Sequence, residues 1–326
     1  MRLSLALITA PLALTLTPAA PPMDIEEWPV EWGGRPRDPH VAPDGKVWFV
    51  GQAGNYIAYL EPASGDFTRF ELDERVLPHN LIVDSDGMVW YAGNRAAHIG
   101  KLDPATGNVT KYPMPDPAAR DPHTMVFDGK GNIWFTMQGS NMIGRLVKSS
   151  GDVRVWTVPT EGARPYGIKV DEAGRPWVVL VGTHKIATID PASMELREIT
   201  LPDEGTRPRR LEITSDGAIW YVDFREGEVG RYDPKTGEAR EWMSPYGERA
   251  ALYGTAMDAQ DRFWFVAGGP EPAMFAGFDT KTKTFIEGTP IPSGGGTVRH
   301  MYYHAPTNTV WFGADTGTIG RAKLPD

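Results

Sequence analysis

The stretch from Asp121 to Phe135, DPHTMVFDGKGNIWF, decides how the chain reads. Its second half is a turn, Asp128-Gly129-Lys130-Gly131, leading into Ile133-Trp134-Phe135. An aspartate can cap such a turn through its side chain and glycine supplies the positive φ, so a strand follows. Its first half places His123 just before an alternating apolar segment, where packing does not require a titratable side chain.

Aligning the chain on Trp134 brings out a repeat. Trp48, Trp90, Trp134, Trp177, Trp220, Trp264 and Trp311 are separated by 42, 44, 43, 43, 44 and 47 residues. Twelve residues before each stand Pro36, Pro78, Pro122, Pro165, Pro208, Leu252 and Arg299. Each unit divides into four short strands. The third carries Ile-Gly-Lys/Arg or a relative, as in Ile99-Gly100-Lys101 and Ile143-Gly144-Arg145. A turn such as Asp103-Pro104-Ala105-Thr106-Gly107 precedes the fourth. Short strands with turn signals at this period describe an all-β, seven-bladed β-propeller with four-stranded blades. The last unit stops after three strands, while Glu27-Trp28-Pro29-Val30 resembles the fourth strand of other units. An N-terminal strand is therefore expected to close the last blade, which removes an open sheet edge. Residues 24–326 are read as one propeller domain.

The chain begins Met1-Arg2, then runs apolar from Leu3 to Leu16 and ends in small residues at Thr17-Pro18-Ala19-Ala20. This is the pattern of a secretory signal peptide over residues 1–20, too short for a comfortable membrane span. The expected location is periplasmic or secreted, with no membrane association after cleavage. The absence of cysteine excludes disulfides, a thiol nucleophile and thiolate metal sites. A net charge of −9 argues against a general nucleic-acid binder. A monomer is expected.

The copies differ where packing does not constrain them. Eleven residues before each tryptophan stand Arg37, His79, His123, Tyr166, Arg209, Tyr253 and His300. The innermost strands of a propeller begin around its central channel, so this offset forms a ring at one mouth. Every member can donate a hydrogen bond and none is an acid. Two residues earlier lie Arg35, Arg164 and Arg207, and Arg210 follows Arg209. An arginine- and histidine-lined mouth in an acidic protein suits an anionic small molecule or peptide. Arg37, His79, His123, Tyr166, Arg207 and Arg209 are the expected ligand-binding residues. No metal set is read here, because His79, His123 and His300 belong to blades two, three and seven. His40, His98, His184 and His304 fall at unrelated offsets and read as structural or surface residues.

The unit Pro-His-x-x-x-x-Asp-x-x-Gly-x-Ile/Val-Trp-Phe, followed by Ile-Gly-Arg, resembles the streptogramin lyases, the virginiamycin B lyase family, from about Trp28 to Pro325. That resemblance implies a seven-bladed propeller and a C–O lyase that opens a cyclic depsipeptide at its ester by elimination. It implies a base for the α-proton and a Mg²⁺ that steadies the enolate and the leaving carboxylate. His300 matches one histidine of the family's catalytic pair, and Tyr253 stands at the other position. The family's metal-ligating glutamates correspond to Val298 and Ala314, which cannot hold Mg²⁺. The resemblance thus assigns His300 as base and Tyr253 as acid or donor, with arginines in place of the metal. The alternative is a binding propeller that captures an anionic ligand without chemistry.

Overall fold

In the computed structural model, which describes residues 22–326, every repeat folds as a four-stranded antiparallel sheet. The expected signal peptide, residues 1–20, lies outside the described residues. The innermost strands are Pro36–Val41, Pro78–Val83, Pro122–Phe127, Pro165–Val170, Pro208–Ile213, Leu252–Met257 and Val298–His304. Successive inner strands pack side by side, and the first packs against the seventh, so the ring closes.

Closure is made as the sequence suggests. The strand Asp24–Pro29 is the outer strand of blade seven and pairs antiparallel with Thr318–Lys323, placing Trp28 opposite Ile319. Trp28 stacks on Trp311 at 5.5 Å, in a core shared with Phe49 and Leu60 of blade one. The Glu27 carboxylate accepts from Thr318 Oγ1 at 2.6 Å and from the Ser293 amide at 2.7 Å. One short strand therefore ties the chain's beginning to its last blade through stacking, ladder and charge-assisted hydrogen bonds.

The repeated residues have specific packing causes. Six residues before Trp90, Asp84 accepts the Asp86 and Met88 amides with one oxygen and Trp90 Nε1 with the other, at 2.8 Å. Asp171 and Asp258 do the same for Trp177 and Trp264. Turn and core tryptophan are thus fastened by one carboxylate. Blade three departs: Asn132 donates to both oxygens of Asp128, and the buried Trp134 Nε1 has no partner. The Ile-Gly pairs also have a steric origin. A Cβ on Gly100 would lie 2.1 Å from the Tyr91 ring, and one on Gly144 would lie 2.2 Å from Phe135. The aromatic residue after each of these tryptophans covers its cross-strand neighbour, which must therefore be glycine.

Candidate functional site

Each inner strand carries a β-bulge near its start, after the second residue in blade one and after the first in the other six. A bulge leaves an extra residue unpaired and re-aims its side chain, and in blades one, two, three and five two consecutive residues enter the cluster at the mouth. In blades one to six the residue three after the tryptophan pairs with the residue twelve before it, as in Pro78 with Gly93. In blade seven Ala314 pairs instead with Val298, thirteen before Trp311. The extra residue is absorbed in the hairpin, where Ala305–Thr307 forms a 3-10 turn. This corrects the placement of His300 in the ring: the seventh member is Arg299. His300 lies one step along the strand, level with Asp38, Asn80, Thr124 and Arg210. Counting back from the tryptophan fails there because it assumes hairpins of equal length.

Around the mouth the side chains form one continuous network. Arg37 Nε donates to Asp38 Oδ1 at 3.0 Å, and its Nη1 donates to Gln52 at 2.9 Å. Asp38 Oδ2 accepts from Asn80 Nδ2 at 3.0 Å and faces Arg210 Nη2 at 4.0 Å. Arg210 Nε donates to the Arg299 carbonyl at 2.8 Å and Nη1 to Thr124 Oγ1 at 3.0 Å. His123 Nδ1 meets the same Thr124 hydroxyl at 2.9 Å. The His79 and His123 rings lie 3.4 Å apart, and Tyr166 follows at 4.4 Å from His123. The Tyr166 and Tyr253 hydroxyls are hydrogen-bonded to each other. The Arg209 guanidinium lies 4.1 Å from the ring centres of both Tyr253 and Phe224.

The charges do not balance. Arg37, Arg209 and Arg210 bring three positive charges against the single carboxylate of Asp38, leaving two in excess. Arg37 and Arg210 are buried, and Arg209 has no carboxylate partner among the described residues. Arg37 Nη2, Arg209 Nε and Arg210 Nη2 find no acceptor among the described residues. Burial pushes the His79, His123 and His300 imidazoles well below the ordinary histidine range, and Arg210 and Arg37 push each further. They are neutral at pH 7. Burial works to raise Asp38, and the attraction of Arg37 foremost overcomes it, so its carboxyl titrates well below the usual range. Burial also raises Tyr253 to about 12, whereas the three arginines outweigh burial at Tyr166 and lower it.

A cavity of about 270 Å³ opens on this mouth between blades five, six and seven, bordered by Arg209, Phe224, Tyr253, Val298 and Arg299. Of the residues assigned to catalysis from sequence, Tyr253 borders it and His300 does not. Among the expected binding residues, Arg37, His79, His123, Tyr166 and Arg209 are brought together. Arg207 is not brought into the cluster: its Nη1 donates to the carbonyls of Glu204, Gly205 and Thr206 and caps its own loop. Arg35 is exposed, 4.0 Å from Asp315. Asp121 and Asp223 accept backbone amides of neighbouring loops. The sequence reading missed Asn80, Thr124, Phe224 and Arg299. A second offset, one residue past the ring, collects Asn80 and Thr124 together with Asp38 and Arg210.

The two positions that the family resemblance gives to Mg²⁺ ligands are Val298 and Ala314, paired directly across the strands. Both are buried in an apolar cluster with Val266, Met301 and Phe312. A hard cation needs oxygen ligands, and this pair offers only methyl groups, so these residues do not fit Mg²⁺.

Comparison with known proteins agrees with the propeller and narrows it. A solved streptogramin B lyase is 26% identical, with a TM-score of 0.83 over 93% of this chain and 98% of its own. A virginiamycin B lyase from Staphylococcus aureus is 24% identical, with a TM-score of 0.83 over 93% of this chain and all of its own. A catalytically inactive histidine-to-alanine variant of the S. aureus protein, solved with quinupristin, shows the same identity, coverage and TM-score. No curated protein matches the chain. The model of the virginiamycin B lyase family matches residues 23–322. The chain belongs to the virginiamycin B lyase family.

Proposed function

We propose that this protein, exported from the cytoplasm, binds an anionic, ester-bearing small molecule in the cavity between blades five, six and seven. There it opens the ester by elimination without a divalent metal. The observation that carries the reading is the excess of two positive charges beside that cavity, with guanidinium N–H groups left without acceptors. Buried donors with no partner are costly, and an anion supplies the missing acceptors. In an elimination, charge grows on the enolate oxygen as the α-proton leaves and on the carboxylate as the C–O bond breaks. Arg209 and Arg299 border the cavity; Arg299 is held by Asp315, and the Arg209 guanidinium, without a carboxylate partner among the described residues, can stabilise that charge. Family membership supports the reaction class. The apolar Val298–Ala314 pair supports independence from Mg²⁺.

A second reading, capture of an anionic ligand or peptide without turnover, is favoured by the position of His300 off the cavity wall and by its depressed basicity. The test is incubation of purified protein with quinupristin, virginiamycin B and carboxylate-bearing cyclic esters, in EDTA and in Mg²⁺. Mass spectrometry follows ring opening without gain of water. The lyase reading expects conversion of at least one anionic ester that persists in EDTA and is lost in Arg209→Gln. Binding without conversion selects the second reading. Neither binding nor conversion across the panel overturns both.

A further inference from the structure

The excess charge bears on a neighbouring feature, the hydroxyl pair of Tyr166 and Tyr253. Both side chains are buried, their hydroxyls bond to each other, and the Arg209 guanidinium is the donor beside them. One hydroxyl donates in that bond, and the proton of the second has no acceptor among the described residues. The facing groups are Arg37 from blade one, His123 from blade three, and Arg209 and Arg210 from blade five, while Arg299 from blade seven borders the same cavity as Tyr253. None of these is an acid, and Asp38, the carboxylate that Arg37 and Arg210 meet, is already engaged by Arg37 and Asn80. Arg209 lies 5.2 Å and Arg210 5.0 Å from the Tyr166 ring centre, and guanidinium groups donate without accepting. A pair of hydroxyls surrounded by donors and unpaired positive charge is stabilised by losing one of its two protons.

We propose that Tyr166 and Tyr253 together form the base of this site, sharing one proton between two oxygens, with the charge resting toward Tyr166 and Tyr253 presenting its oxygen to the cavity that it lines. The assignment rests on the elimination reading and moves the base from His300 to the tyrosine pair. In the step, Tyr253 passes its own hydroxyl proton to the Tyr166 phenolate while its oxygen takes the α-proton of the substrate. The C–H electron pair becomes the new C=C bond as the β C–O bond breaks, and the ester oxygen leaves as a carboxylate. The proton then returns from the phenol to solvent, so the products are an alkene, a carboxylate and one released proton. Tyr253 is the catalytic residue because it borders the substrate cavity. Tyr166 is a positioning residue that holds the second oxygen and shares the charge. The lowered titration of Tyr166 beside a raised Tyr253 agrees with a pair that loses its first proton early and its second late. Burial raises Tyr56, Tyr91, Tyr221, Tyr246 and Tyr302, so the pair is separable from them.

The test needs no substrate. Phenolate absorbance is titrated from neutral to alkaline pH in the intact protein, in Tyr166→Phe and in Tyr253→Phe. The expected result is one phenolate appearing below the ordinary tyrosine value of about 10 and missing from both variants. Arg209→Gln keeps both tyrosines and is expected to move that titration upward, which holds the test open should a phenylalanine variant misfold. Titration curves of intact protein and Arg209→Gln that coincide, or the absence of any early phenolate, overturn the proposal. Such a failure leaves the anion-binding reading standing, because that reading is measured separately by ligand conversion and binding.

Discussion

Among the described residues Asp38 is the only acid that Arg37 and Arg210 meet, and replacing it with asparagine isolates the charge imbalance. Its carboxylate meets Arg37 at 3.0 Å and Arg210 at 4.0 Å with almost no exposure. Asp38→Asn keeps the shape and raises the excess from two positive charges to three. Breaking a buried ion pair by removing one partner costs about 3–5 kcal/mol. Unfolding entropy of about 2.1 cal/mol/K per residue over roughly 300 residues is about 0.6 kcal/mol/K, so the expected fall in Tm is about 5–8 °C. Calorimetry at pH 7 measures it. The double variant Arg37→Met, Asp38→Asn restores an excess of two and is expected to recover part of the loss. The sign with pH follows from the depressed carboxyl. Its stabilisation is fully present above the unfolded value of about 3.9 and is lost only as pH falls through the lower folded value. The deficit should therefore be as large at pH 5 as at pH 7. A fall of less than about 1 °C, or a double variant as unstable as the single one, would refute the charge account.

Glu228 is pushed up to about 7 by burial and by Glu241, Asp223 and other nearby carboxylates. A raised acid favours the protonated folded state, so native stability should fall as pH rises from about 4.5 to 7; Glu228→Gln should be the more stable protein at pH 8 and show no advantage at pH 4. Trp28→Ala removes the stack on Trp311 and the Arg321 contact at 5.4 Å that close the ring. Urea unfolding should show a loss of about 2–3 kcal/mol, below the range for a fully buried tryptophan, and an unchanged midpoint would deny the closing strand its role. The His79 and His123 imidazole resonances should show no protonation step between about pH 5 and 8, as burial and the arginines require. A normal histidine titration at either residue would show the mouth to be wetter or less positive than described.

The fold was legible because a propeller repeats its packing problem seven times. The tryptophans, capping aspartates and Ile-Gly pairs recur where each blade needs the same core, turn and close strand approach. The closing strand was legible from Glu27-Trp28-Pro29-Val30, since an outer strand keeps its pattern wherever it sits in the chain. The candidate site was legible only in part. Offset counting found Arg37, His79, His123, Tyr166, Arg209 and Tyr253, because six hairpins share one length. It misplaced His300 and overlooked Arg299, because one residue added in the blade-seven hairpin leaves the tryptophan in place and shifts the strand. It overlooked Asn80 and Thr124 because a strand pattern of period two does not announce a bulge. Arg207 looked like a ligand-binding arginine because side-chain direction within a loop is set by its carbonyls, here those of Glu204, Gly205 and Thr206.

The central claim is that the mouth takes an anion through its arginines where the family resemblance places a metal. The direct measurement is the thermal unfolding midpoint at pH 7 and constant ionic strength, with inorganic phosphate or Mg²⁺ titrated separately into the intact protein and into Arg209→Gln. A ligand that binds the folded state alone raises the midpoint saturably. A saturable rise with phosphate is expected in the intact protein, a weaker one in Arg209→Gln, and none with Mg²⁺ in either. A rise with Mg²⁺ and none with phosphate would contradict that claim.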